Sequence, residues 1–323
     1  MDEQTVFGLK AGQALLEQRP QDVLRIFYHR ELRDRLKKTL SWAASQRLPY
    51  RELEEEELRK VAASTHHEGL VVVARPLRER DWAEVDWSAA GNSWWLALDG
   101  VENPHNVGAL LRTAAFFGVA GVVAGGVPAG QKVNSAAVRV AEGGAERVPV
   151  FGALKLAPVL EAARNAGLAV VGLETETGQS FRSCLGRFSP TQGVMLVLGG
   201  ERTGLSVETR QACGEVCSLE GAGGLASLNV SIAAAVALTL LQVQRGSARE
   251  SAGSQVATLP PSSLEGGSAA LEATPLRRDA PLSDRETARR AAQSRQSQSA
   301  KKPWWPTGKK STQRTKGRSK GKG

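Results

Sequence analysis

The chain has 323 residues, a net charge of +9 and 41% hydrophobic residues, which accommodates two domains of ~100–200 residues and a tail. No apolar run reaches the ~18 residues of a membrane span, and the Met-Asp-Glu-Gln opening lacks the basic-then-apolar order of a signal peptide. Three cysteines build no disulfide framework and are read as reduced, so membrane and disulfide-stapled secreted classes are excluded and a cytoplasmic location is expected.

Residues 5–77 read as a small α/β unit. Lys10 to Gln18 is helix-like, Val23 to Tyr28 has strand character, and Glu31 to Ala44 places Leu32, Leu36 and Leu40 on one helix face. Glu52 to Ala62 is a further helix, and Gly69 to Ala74 a β-rich run closed by Pro76. Residues 78–92 are charged, carry tryptophans and show no period, which reads as a linker.

From 93 to 245 strands and helices alternate. Trp94–Leu98, Gly121–Ala124, Leu168–Leu173, Val194–Leu198 and Val216–Leu219 are short apolar runs, as expected of a parallel sheet buried on both faces. Helices are expected at Val107–Phe117, Asn134–Ala141, Leu156–Asn165, Val207–Ala212 and Leu228–Val243, with Ile232, Val236 and Leu240 turned into the core. Cys213 and Cys217, four apart, would share a helix face, and no further ligand for a metal lies near them. His66 and His67 have no zinc-ligand spacing either.

From Gly246 the composition turns to Ser, Gly, Pro, Gln and basic residues, which cannot offset its ordering entropy, so the tail is expected to be disordered. From Arg245 onward there are 17 Lys/Arg and 6 Asp/Glu, so the tail carries the whole positive balance and the rest of the chain is at −2. A basic tail holding Trp304 and Trp305 points to a polyanion, nucleic acid first.

Three segments carry chemistry. In Asn106 to Arg112, Asn106 can cap a helix, Gly108 permits close approach of a backbone or ligand, and Arg112 follows six residues on. Alone, this is a capped helix with a surface arginine. In Val194 to Ser206 a buried strand runs into Gly199-Gly200-Glu201 and Gly204, a turn that suits a ligand-hugging loop and lacks both the dinucleotide and the P-loop spacing. In Leu219 to Asn229, Gly221, Gly223 and Gly224 make a loop, and Ser227 and Asn229 flank Leu228 at a helix start. The bland reading there is an N-cap before a core helix.

In this order, the three segments resemble the signature motifs of the SpoU (TrmH-type) RNA 2′-O-ribose methyltransferases, over residues 93–245; residues 5–77 resemble the substrate-binding domain that many members carry. The resemblance implies a SPOUT α/β fold with a mostly parallel sheet whose C-terminal segment is threaded into a trefoil knot. It further implies S-adenosylmethionine as cofactor, tRNA or rRNA as substrate, and a homodimer with the active site near its interface; no metal is implied. Gly199, Leu219 and Leu228 match the family's cofactor-contacting positions. Asn106, Arg112, Glu201, Ser227 and Asn229 match its polar active-site positions. Leu219-Glu220-Gly221 departs from the Pro-Met that often opens the third motif. Arg112 would assist loss of the hydroxyl proton or anchor a phosphate. A guanidinium stays protonated, which makes it an awkward base unless a substrate phosphate changes its environment. A non-catalytic RNA-binding protein on the same scaffold, or a base methyltransferase, are the alternatives.

Overall fold

The computed structural model describes residues 3–126, 133–175, 177, 179–223, 225 and 227–255. Gly224, Trp304, Trp305 and the tail beyond 255 lie outside the described residues.

Four strands, β1 (Gln4–Phe7), β2 (Val23–Tyr28), β3 (Tyr50–Glu52) and β4 (Leu70–Ala74), form the first sheet in the order β1-β4-β2-β3. β4 runs antiparallel to both of its neighbours. Its Leu-Val-Val-Val-Ala sequence is buried throughout, so no polar alternation is needed. Helices α1 (Leu9–Gln18), α2 (Lys37–Ser45) and α3 (Glu55–Ala62) belong to the same unit.

The expected helix Glu31–Ala44 is broken: a 3-10 turn at Arg30–Leu32 precedes α2, and the helix proper starts at Lys37. Glu52, expected to open a helix, instead ends β3, which joins the sheet parallel to β2, and the helix starts at Glu55. His67 is buried, accepts from the Gly69 amide through Nδ1 at 3.2 Å and stands 3.1 Å from Glu55, a packing role.

The second sheet holds β5 (Arg80–Asp81), β6 (Trp94–Asp99), β7 (Gly121–Gly125), β8 (Val150–Ala153), β9 (Ala169–Leu173), β10 (Val194–Gly199) and β11 (Glu215–Cys217). Their order is β11-β9-β10-β6-β7-β8-β5, and every pairing is parallel. Helices α4 (Pro104–Phe117), α5 (Ser135–Val140), α6 (Ala157–Asn165), α7 (Phe181–Leu185), α8 (Val207–Ala212) and α9 (Val230–Gln255) cover it.

Strand alternation divides the core between the two faces. Trp94, Leu96 and Leu98 pack with residues of α4, α5, α7 and α9, in a core continuous with Val6, Leu15 and Ile26 of the first unit. Trp95, Ala97 and Met195 pack on the other face with residues of α6 and with Leu205. The segment 78–92, expected as a linker, is packed rather than bare: β5 extends the sheet edge, and Trp82, Val85 and Trp87 lie against the core.

The expectation for α9 fails at two of its three positions. Val230, Ala234, Ala237, Leu238 and Leu241 face inward, while Ile232 and Val236 are 52% and 38% exposed and Leu240 is only partly buried. The run Ile232–Leu241 is apolar nearly all round, so its period does not distinguish the faces, and small alanines let α9 approach its neighbours closely. The helix also continues to Gln255, ten residues into the segment expected to be disordered.

The cysteines differ too. Cys213 ends α8 and Cys217 lies in β11, so they share no helix face. Cys184, on the unforeseen α7, is brought against β11 and is disulfide-bonded to Cys217. Cys213 is free; burial first, then the charges of Glu174 and Asp99, pushes its thiol up to about 12.

Candidate active site

Residues of the second and third segments gather at the carboxyl ends of β9 and β10, where open parallel sheets place their ligands. A cleft of about 610 Å³ is lined there by Leu173, Glu174, Leu198, Gly199, Glu201, Arg202, Thr203, Leu219, Ser227, Leu228 and Asn229, among others. That volume is in the range of small-molecule sites, ~300–1,000 Å³.

The glycines of the second segment serve the turn itself. A Cβ on Gly199 would lie 2.3 Å from the carbonyl carbon of Gly204, and one on Gly200 would lie 2.4 Å from the Gly100 oxygen. Gly204 has φ +62 and its amide donates to the Gly200 carbonyl at 2.9 Å. Asp99, at the end of β6, secures the exit by accepting from the Ser206 amide at 2.7 Å. The wall is therefore backbone folded on backbone, with Glu201, Arg202 and Thr203 presented at its tip.

Helix α4 begins three residues earlier than expected. Asn103 is the N-cap, accepting from the His105 amide at 2.9 Å, and Pro104 opens the helix, where its missing N–H costs nothing. Asn106 is therefore not the cap, and its side chain is free to reach across. Its Nδ2 donates to Glu201 Oε1, and its Oδ1 accepts from Asn229 Nδ2 at 3.0 Å. Asn229 in turn accepts from the Ser231 amide and hydroxyl at 2.9 and 2.7 Å, so it caps α9 as it holds Asn106. Three motif residues, 95 and 123 positions apart in sequence, thus form one polar chain at the mouth of the cleft.

Gly108 serves helix packing rather than a ligand: its Cβ would lie 2.5 Å from the Ala137 oxygen in α5. Arg112 does not line the cleft. Its Nη1 lies 2.9 Å from Glu142 Oε1, and the side chain is 56% exposed. Residues six apart on a helix differ by about 240° in direction, so Asn106 and Arg112 face different ways. Glu174 is a lining residue that the motifs did not reveal; its position at the carboxyl end of β9 was the available signal.

The walls fit S-adenosylmethionine. Leu173, Leu198, Leu219 and Leu228 offer apolar surface, and the Glu201 carboxylate suits a cationic ligand. Among the described residues no group of three or more His, Cys, Asp or Glu converges as a metal site, and no helix is long and apolar enough to cross a membrane.

Comparison with known proteins agrees with the geometry. The SpoU rRNA methylase family model matches residues 93–239, and the model for RNA 2′-O-ribose methyltransferase substrate binding matches residues 5–80. The chain is 34% identical over 248 residues to the 23S rRNA (guanosine-2′-O-)-methyltransferase RlmB of Yersinia pestis, covering 75% of this chain and 97% of that one. It belongs to the SpoU family.

This SpoU chain is also 35% identical over 240 residues to YfiF of Escherichia coli O157:H7, described as an uncharacterized tRNA/rRNA methyltransferase, covering 73% of this chain and 67% of YfiF. The SpoU methyltransferase AviRb from Streptomyces viridochromogenes, solved with AdoMet, matches with a TM-score of 0.61 at 25% identity, over 76% of this chain and 91% of that one. An AdoMet-bound rRNA methyltransferase from Sinorhizobium meliloti shares the fold, with a TM-score of 0.62 at 21% identity, over 75% and 87%.

Proposed function

We propose that this SpoU chain transfers a methyl group from S-adenosylmethionine to a ribose 2′-hydroxyl of rRNA or tRNA. The polar chain Asn229–Asn106–Glu201, set at the mouth of a cleft walled by Gly199, Leu219 and Leu228, is the observation that carries this reading. Residues 1–77 act as the RNA-binding domain, 93–245 as the methyltransferase domain joined by 78–92, and the basic segment from 246 adds attraction to RNA by releasing counterions. The trefoil-knotted C-terminal segment of the family belongs to the same proposal.

When bound, S-adenosylmethionine supplies a methyl already activated on a sulfonium. What this chain adds is positioning. Each amide of Asn106 and Asn229 uses one of its two N–H donors within the polar chain, and the Glu201 carboxylate retains acceptor capacity. Those groups, with Ser227, orient the ribose hydroxyls so that the 2′-oxygen faces the methyl. Arg112 anchors a phosphate of the same RNA. In the N-terminal unit, Arg33 and Lys37 line a shallow groove with the exposed Tyr50, chemistry that suits an RNA strand.

The protein acts in the cytoplasm as a homodimer. Phe116 on α4, 83% exposed, and Ile232, Val236 and Val243 on the adjoining α9 provide the apolar surface for the second copy. Val236→Asp should shift sedimentation from dimer to monomer; an unchanged dimer would place the interface elsewhere.

The deciding experiment is transfer of labelled methyl to total RNA from cells lacking this protein, followed by nucleoside analysis. A 2′-O-methyl nucleoside is expected with the wild type, with turnover lowered on the order of 100-fold in Arg112→Lys, which keeps the charge but loses the planar fork. A methylated base would identify a base methyltransferase, and absence of cofactor binding would leave an RNA-binding scaffold.

A further inference from the structure

Arg112 is the active-site position that the cleft leaves out, and its surroundings give it a second function. Glu142 lies in the turn after α5. One of its carboxylate oxygens is 2.9 Å from Arg112 Nη1, and the other accepts from Lys10 Nζ at 2.6 Å. Lys10 belongs to α1 of the N-terminal unit, so one carboxylate joins that unit to the arginine on α4.

The turn that presents Glu142 is fixed on both sides. Glu142 has φ +46, a left-handed backbone that side chains rarely adopt and that persists only where surrounding structure imposes it. Beside it, a Cβ on Gly143 would lie 2.7 Å from the Ala14 Cβ of α1, and one on Gly144 would lie 2.8 Å from the Arg112 Cα. The turn is thus wedged between the backbones of α1 and α4. Two residues further, Glu146 pairs at 2.6 Å with Arg19, the residue that caps the end of α1, with side chains 0% and 9% exposed. An ordinary surface pair loses its gain to side-chain freedom. Here the carboxylate is presented by a fixed backbone.

We propose that Glu142 is a positioning residue for Arg112: it holds the guanidinium ready for the RNA phosphate and ties it, through Lys10, to the N-terminal unit. This rests on the phosphate-anchoring reading of Arg112. The pair engages one of the guanidinium's five N–H donors and leaves the rest for substrate. The bond from Lys10 and the charge of Arg112 hold the Glu142 carboxyl below the usual range, although its partial burial works in the opposite direction. The carboxylate is therefore charged at neutral pH.

The test uses the full chain, total RNA from cells lacking it, and labelled methyl transfer by wild type, Glu142→Gln, Lys10→Met, Arg112→Lys and the Arg112→Lys/Glu142→Gln double variant. For Glu142→Gln, kcat should fall about tenfold while KM for RNA and cofactor affinity change less than about twofold, as expected when positioning and not binding is lost. On the Arg112→Lys background the same change should have no further effect, because Glu142 acts through the arginine. Lys10→Met should lower kcat about threefold by removing one of the two anchors.

An unchanged kcat in Glu142→Gln overturns the proposal, as does tighter RNA binding at full turnover, which would make Glu142 a mere counter-ion. Additive effects in the double variant also overturn it. If Glu142→Gln melts well below the wild type, Lys10→Met decides, and full kcat in that variant overturns the proposal. Absence of methyl transfer by the wild type itself would remove the methyltransferase reading, and the role of Glu142 with it.

Discussion

Asn106 and Arg112 stand on one helix, yet the two ends of α4 are held in different ways. The Asn106 end is fixed by neutral amides and one carboxylate at the mouth of the cleft, with α9 and the Gly199–Gly204 turn as partners. The Arg112 end is fixed by charges, with the turn after α5 and, beyond it, α1 as partners. A single sequence motif therefore serves two places: one builds the cleft, the other connects it to the N-terminal unit.

The contrast can be broken at either end. The largest effect is expected from Glu146→Leu, which removes the buried carboxylate paired with Arg19 and leaves it only the Arg75 carbonyl at 2.7 Å and Asp22 at 3.6 Å. Breaking a buried pair costs about 3–5 kcal/mol, and the remaining partners put the loss toward the lower end, read as reduced stability to urea, while cofactor affinity measured by calorimetry stays near that of the wild type. Equal loss of cofactor binding would show that the two ends are not separable. Next comes Asn106→Ala, expected to lower kcat on the order of 100-fold, the effect typical of removing one oriented polar group, with the melting temperature little changed. Retained turnover would remove the polar chain from the mechanism.

The smallest effect is a pH dependence. Because the folded Glu142 carboxyl is held low, its contribution to stability is complete above the ordinary carboxylate pKa, ~4.3, and is lost as pH falls through its lowered folded value. The side chain is 35% exposed, so the contribution is modest, under ~1 kcal/mol. The melting difference between wild type and Glu142→Gln should be steady from neutral pH down to the ordinary carboxylate range and shrink as pH falls below it. A difference that does not change with pH on acidification would assign it to something other than the ion pair.

Much of this was legible in the sequence, and the exceptions have physical causes. β2 and α8 match their expected bounds, since apolar period and flanking breakers mark them. β8 and α7 were missed: four and five residues are too short for a period to declare itself. The motifs single out Asn106, Glu201 and Asn229, which the structure joins in one hydrogen-bonded chain, while the helix cap falls at Asn103, where Asn-Pro is an equally good helix start just upstream. Glu142 was not readable at all. Its role depends on a left-handed backbone at a non-glycine residue and on a helix more than a hundred residues away, and neither leaves a local signal.

The strand order has a consequence for how the molecule is made. The first sheet is complete once Ala74 exists, whereas β6 and β9 face each other across a vacant lane until β10 enters between them. A chain stopped short of Val194 would carry two unpaired central edges, the surfaces on which polypeptides aggregate. The N-terminal unit can thus form early in synthesis, while the parallel sheet and the cleft at its strand ends must await β10, and α9 after it. Fragments that end between the two should be sticky, short-lived and inactive, although every residue from Asn106 to Glu142 is already present.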